Sequence, residues 1–91
     1  MIIVSYDIQD DKLRNKFSKY LKRFGYRLQY SVFEITNSSR MLNNILADIK
    51  NNYENKFSQS DSVIIIETNK NCKITRFGFA KNDESDIMLI D

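Results

Sequence analysis

Few residues in this chain can do chemistry at neutral pH. There is no histidine, and Cys72 is the lone cysteine. That excludes Ser-His and Cys-His catalytic pairs, a soft metal site and an internal disulfide. Gly25 and Gly78 are the only glycines, so no glycine-rich phosphate loop exists. What remains is carboxylate. The stretch "VSYDIQDDKLRNKF", Val4 to Phe17, places Asp7, Asp10 and Asp11 where an apolar segment meets a basic one. Asp10 or Asp11 is explained by a helix start, whose unpaired amides a short acidic side chain caps. Asp7 falls in or at the end of a strand, where aspartate is a poor former. It can hold a hard, oxygen-liganded cation such as Mg²⁺, which activates water or steadies a phosphate. The reading that spacing alone favours is that it caps the following turn or bonds a backbone amide. Hydrolysis by this chain would have to rest on carboxylate and metal.

Lys12, Lys16, Lys19 and Arg23 fall on one flank of a helical wheel, a ridge roughly 16 Å long at 1.5 Å per residue. Such a ridge can follow a phosphate backbone; a solvated helix face is the structural alternative. Arg14 lies on the opposite flank, near Leu21, placed to pair with a carboxylate or reach over the strand end. Tyr26, Arg27, Gln29, Tyr30, Ser31 and Phe33 share one extended segment that can stack or clamp nucleotides. Aromatics at strand spacing are more often core, and packing is the expectation for Tyr30 and Phe33.

The elements that must position these groups follow from periodicity. Ile2, Val4, Tyr6 and Ile8 alternate with Ile3, Ser5 and Asp7, which predicts a strand over residues 1–8. Leu13, Phe17, Tyr20, Leu21 and Phe24 form a helical stripe over residues 12–24, with Gly25 as a stop. Residues 26–36 read as extended, long enough for two short strands meeting at a bend near Ser31. Ser38 or Ser39 caps a second helix, striped by Met41, Leu42, Ile45, Leu46, Ile49 and Tyr53, with Asn43, Asn44, Asp48 and Lys50 facing away; it ends by about Asn55. "SVIIIET" from Ser62 is a strand apolar on both faces, and "CKITRFGF" from Cys72 is a further one. The tail "NDESDIMLID" is acidic and then apolar, an edge strand or a partner-docking segment.

Ninety-one residues make one domain, which buries only about 60 to 70 per cent of its unfolded surface. Residues 1–46 carry eight lysines and arginines against four carboxylates, and residues 47–91 carry six against eight. The anion-attracting field therefore belongs to the first half. Lysine number is weak evidence in a chain this rich in Asn, Lys and Ile, so lysine position must carry the argument. No apolar run is long enough to span a membrane, and "MIIVSYD" lacks the pattern of a secretion signal; the expectation is a cytoplasmic protein. The element order suggests an α+β sandwich with two helices on one face of an antiparallel sheet. The second face, greasy at Ile64 and Ile66, needs a cover, and a second copy of the chain is the simplest. Asp7 points to that face, so two symmetry-related carboxylates can meet there with Mg²⁺ between them.

At these residues the sequence strongly resembles the CRISPR-associated Cas two family. The resemblance rests on a strand ending Tyr-Asp-Ile, an Asp-Asp-Lys-x-Arg helix start and the segment "RLQYSVFE", with looser matches at the Ser-Ser-Arg helix start and "SVIIIE". It implies a ferredoxin-like βαββαβ domain over residues 1–80 and a tail over 81–91, forming a homodimer in which the strand after the core pairs onto the partner's sheet. It further implies a metal-dependent endonuclease, often acting on single-stranded RNA, with Asp7 as the metal-binding residue. Tyr6, Arg14, Arg27, Ser31 and Phe33 are carried over as structural or site-supporting residues. Family members also bridge the CRISPR spacer-integration complex beside the partner integrase. A bridge, or DNA-binding scaffold, without catalysis and a toxin-type ribonuclease stand as the other readings.

Overall fold

The computed structural model describes residues 1–68 and 71–79. Among these residues five strands form one antiparallel sheet in the order β2-β3-β1-β4-β5: β1 (Ile2–Asp7), β2 (Gly25–Gln29), β3 (Val32–Ile35), β4 (Ser62–Glu67) and β5 (Lys73–Gly78). Helix α1 (Asp11–Leu21) connects β1 to β2, and α2 (Ser39–Asp48) connects β3 to β4. Strand order and connectivity of the first four strands are those of a ferredoxin-like sandwich.

Alternation decides which face the helices cover. Ile2, Val4 and Tyr6 of β1, Phe33 and Ile35 of β3 and Val63 and Ile65 of β4 are buried, as are Leu13, Phe17, Tyr20 and Leu21 of α1 and Leu42 and Ile45 of α2. These join Ile49, Tyr53 and Phe77 in one core. Phe17 sits at its centre, its ring edge-on to Tyr6 at 5.2 Å and 5.0 Å from Tyr53. On the opposite face Ile3, Val32, Ile64, Ile66 and Ile74 are only half-buried. Register aligns them in rows: Ile3 stands beside Ile66, and Ile66 beside Ile74. The two-sided apolar character of β4 is thus a real feature of the sheet.

Both helix starts are capped as their sequences predict, Asp10 accepting the Leu13 amide at 2.8 Å and Ser38 the Met41 amide at 3.3 Å. The helix ends differ from expectation. Helix α1 stops at Leu21, because Arg23 and Phe24 bond back only three residues, to the Tyr20 and Leu21 carbonyls, and tighten the chain into a turn. Gly25 is therefore not a left-handed helix stop; it opens β2, where a Cβ would collide with the Glu34 carbonyl oxygen. Beyond α2 the chain widens into a π turn, Ile49–Tyr53, and then a 3₁₀ turn, Glu54–Lys56. Ile49 and Tyr53 both lie on the core.

Other expectations are corrected. Tyr30 is 74 % exposed, because it occupies the turn between β2 and β3 after a register shift at Arg27–Gln29; Phe33 is fully buried as expected. Asp48 does not face away, since its carboxylate accepts the Tyr20 hydroxyl. Met41, read as part of the apolar stripe of α2, lies at its exposed edge. Strand β5 pairs with β4 of its own chain from Ser62–Gly78 to Glu67–Lys73. The apolar tail segment Ile87–Ile90 lies outside the described residues.

Candidate nucleic-acid and metal site

Tyr6 and Asp7 are consecutive in β1 and so point to opposite faces of the sheet. The residues singled out in the sequence therefore divide into two groups around one strand end.

On the helix side, Tyr6, Arg14, Asn15, Ser18, Arg27 and Tyr30 line a cleft of about 80 Å³. Arg27 reaches it by lying over the Phe33 ring, guanidinium to centroid 5.3 Å, and donating to the Ser18 hydroxyl. Arg14 turns back toward the strand end, donating to the carbonyls of Ile8 at 3.0 Å and Gln9 at 3.3 Å and pairing with Asp11. That hydrogen-bonded pairing with Asp11 raises the Arg14 guanidinium above its ordinary value, fixing the charge beside the cleft. Among the described residues its Nε is buried without a partner. Ser31 contributes backbone, its carbonyl accepting the Tyr6 amide at 3.1 Å. Phe33 is floor rather than wall.

On the open side, Asp7 is exposed at the end of β1, opposite Ser62 in the β4 register. Among the described residues its carboxylate receives one hydrogen bond, from the Gln9 side-chain amide at 3.2 Å. No three histidine, cysteine or carboxylate side chains stand together among the described residues to hold a metal. One chain thus offers a single hard carboxylate with the Ser62 position beside it. A lone carboxylate fits Mg²⁺ as one ligand, since that ion keeps several waters and takes one or two carboxylates.

Lys12, Lys16 and Lys19 are exposed along α1, and none pairs with a carboxylate among the described residues. Arg23 departs from the ridge. It lies in the turn after α1, its guanidinium 6.0 Å from the Tyr20 ring centroid and 5.6 Å from that of Phe24. Lys56, from the 3₁₀ turn, joins Lys12 and Lys16 around a shared cleft. Sequence reasoning missed it, because nothing in a lone lysine forty positions away points to α1.

Asp61 was also missed. It is buried just before β4 and accepts the Gln9 backbone amide and the Ser58 amide, each at 2.9 Å. Burial pushes its carboxyl upward, but these hydrogen bonds outweigh that and leave it below its ordinary value. The β1–α1 connection is thereby held from two sides, by Asp61 and by Arg14. A carboxylate closing the Ser58–Asp61 turn ahead of an apolar strand was the available signal.

The chain thus joins a ferredoxin-like strand order to an exposed carboxylate at the exit of β1, two arginines at one cleft and a basic first helix. The family model described as CRISPR associated protein Cas2 matches residues 1–76, and the chain belongs to that family. It is 30 % identical over 91 residues to a protein of Methanospirillum hungatei named CRISPR-associated endoribonuclease Cas2 2, covering 97 % of each chain. It is 36 % identical over 63 residues to the Synechocystis protein named CRISPR-associated endoribonuclease Cas2 3, covering 69 % of this chain and 65 % of that one. A Thermus thermophilus protein named CRISPR-associated endoribonuclease Cas2 is 34 % identical over 65 residues, 71 % of this chain and 65 % of its own. No solved structure matches the chain. No helix among the described residues is long and apolar enough to cross a membrane.

Proposed function

We propose that the protein is a homodimeric nucleic-acid-binding component of CRISPR adaptation, bridging the integrase subunits of the spacer-integration complex. The observation that carries this reading is the row Lys12, Lys16 and Lys19, exposed on α1 without carboxylate partners among the described residues. Cations left unpaired by their own fold are available to displace counterions from a phosphate backbone. The half-buried apolar rows at Ile3, Ile66 and Ile74 support dimerisation, since a second copy would bury them.

A second reading, metal-dependent endonuclease, is favoured by the exposure of Asp7 at the edge of that open face. Two copies meeting there would bring two Asp7 carboxylates toward one Mg²⁺. When bound, the cation would neutralise phosphate charge and lower the pKa of a bound water. Arg14 braces the Ile8 and Gln9 carbonyls and so holds the chain leaving Asp7. The names of the relatives support cleavage of RNA as the form this activity would take.

The two readings separate in a paired assay of Asp7→Ala protein. Retained spacer integration with lost Mg²⁺-dependent cleavage supports both roles, with Asp7 serving the second. If integration is lost while nucleic-acid binding persists, Asp7 belongs to the bridge. Unchanged cleavage removes Asp7 from any nuclease mechanism.

A further inference from the structure

The cleft between α1 and the 3₁₀ turn Glu54–Lys56 joins the Asp-Asp-Lys-x-Arg helix start to Lys56, a residue outside every family motif found in the sequence. Its volume is about 270 Å³, and its lining is Asp10, Lys12, Leu13, Lys16 and Lys56. Three ammonium groups face one carboxylate there. That carboxylate is committed, since Asp10 accepts the Leu13 amide at 2.8 Å as the helix cap. Lys56 is held in place by its neighbours: Tyr53 is buried, and Glu54 accepts the Gly78 amide at 2.9 Å through its side chain and the Phe57 amide at 3.1 Å through its carbonyl. The turn is therefore a fixed mount, and its lysine is directed at two others. The nearby Lys16 ammonium depresses Lys56 below its ordinary value, so the like charges are close enough to repel. An anion between them relieves that repulsion.

We propose that this cleft is a phosphate subsite for the nucleic-acid backbone, in which Lys56 together with Lys12 and Lys16 takes one phosphodiester and turns the bound strand off the α1 ridge toward the 3₁₀ turn. The proposal rests on the nucleic-acid-binding reading above and adds to it a residue and a direction. Lys19 and Arg23 lie farther along and do not line the cleft. The track thus has a branch that a helical wheel of α1 does not contain.

The test uses the full chain and a labelled duplex, with affinity measured across a salt series. Lys56→Gln should reduce the slope of log K against log salt by ~0.9 if it removes one B-DNA phosphate contact. The same change corresponds to about a 3.5-fold smaller loss of affinity between 50 and 200 mM salt. Lys56→Arg should restore most of the slope, and Lys16→Gln should have less effect in the Lys56→Gln background than alone. Lys56 is exposed, so neither substitution should disturb folding, which circular dichroism checks. Wild-type slope in Lys56→Gln, with wild-type protein binding normally, overturns the subsite alone. A wild-type protein that binds no duplex or single strand overturns the nucleic-acid reading and the subsite together. Inorganic phosphate that perturbs the Lys56 signal in solution NMR, where oligonucleotide does not, would make this a free-anion site and contradict the backbone assignment.

Discussion

The Asp61 carboxylate accepts the backbone amide of Gln9 across 52 positions of sequence, at 2.9 Å. This bond fastens the first residues after β1, and hence the exit of Asp7, to the turn that precedes β4. Asp61→Ala leaves the Gln9 and Ser58 amides without their acceptor and should destabilise the protein by about 2–3 kcal/mol. Its carboxyl titrates below the ordinary aspartate value in the fold. The stability it contributes is therefore full above the unfolded value near ~4 and lost as pH falls through the lower folded value. Denaturant midpoints of wild type and Asp61→Ala should accordingly converge in strong acid. A gap that stays constant from neutral pH into strong acid would show that the charge of Asp61 is not what holds Gln9.

The pair Tyr20–Asp48 predicts the opposite pH limit. Burial, and then the hydrogen bond to Asp48, raise Tyr20 above its ordinary value, and burial with the Asp48 charge does the same for Tyr53. Groups whose neutral form the fold prefers lend stability below the unfolded value near ~10 and lose it as pH rises through the folded one. Wild-type stability should fall above about pH 10, and Tyr20→Phe should flatten that fall while costing roughly 1 kcal/mol at neutral pH. Melting curves of both proteins from neutral to alkaline pH make the comparison; parallel declines would remove Tyr20 from the account.

The basic ridge should act as three lysines rather than four cations. Replacing Lys12, Lys16 and Lys19 together with Gln should flatten the salt slope of nucleic-acid binding by up to ~0.9 per lost B-DNA phosphate contact. Arg23→Gln should change it little, because that guanidinium lies over the Tyr20 and Phe24 rings beyond the end of α1. A triple variant with an unchanged slope would move binding to another surface.

The open sheet face gives a prediction for assembly. Ile64→Asp places a charge among Ile3, Val32, Ile66 and Ile74 on the face the helices leave bare, and should yield a folded monomer. Retained helical and strand dichroism with half the wild-type mass is the expected result; dimers that survive the charge would place the interface elsewhere.

How far the sequence revealed this arrangement depended on how local each signal was. Alternation in Met1–Ile8 and the two-sided run from Val63 to Ile66 specified which face each strand presents, and the structure agrees. Asp10 or Asp11 and Ser38 or Ser39 marked helix starts because a cap is made within three residues of itself, and the structure selects Asp10 and Ser38. Helix ends were less legible: Phe24 continues the apolar period of α1, yet the chain has already tightened into a turn. Tyr30 misled because a register shift at Arg27–Gln29 breaks strict alternation, which no local pattern announces. Lys56 and Asp61 act on residues some forty and fifty positions away, and only the fold brings Lys56 beside Lys16 or Asp61 onto Gln9. Asp7 was singled out by its type at a strand end, and its exposure on the open face follows from the alternation already read.

The central claim is a dimer that binds nucleic acid as a unit, and light scattering on wild-type protein with and without a short duplex tests it most directly. The account predicts twice the 10.8 kDa chain mass in free solution, and two chains added per duplex under low salt. A 10.8 kDa species that stays single, or a dimer whose mass is unchanged by duplex at low salt, would contradict it.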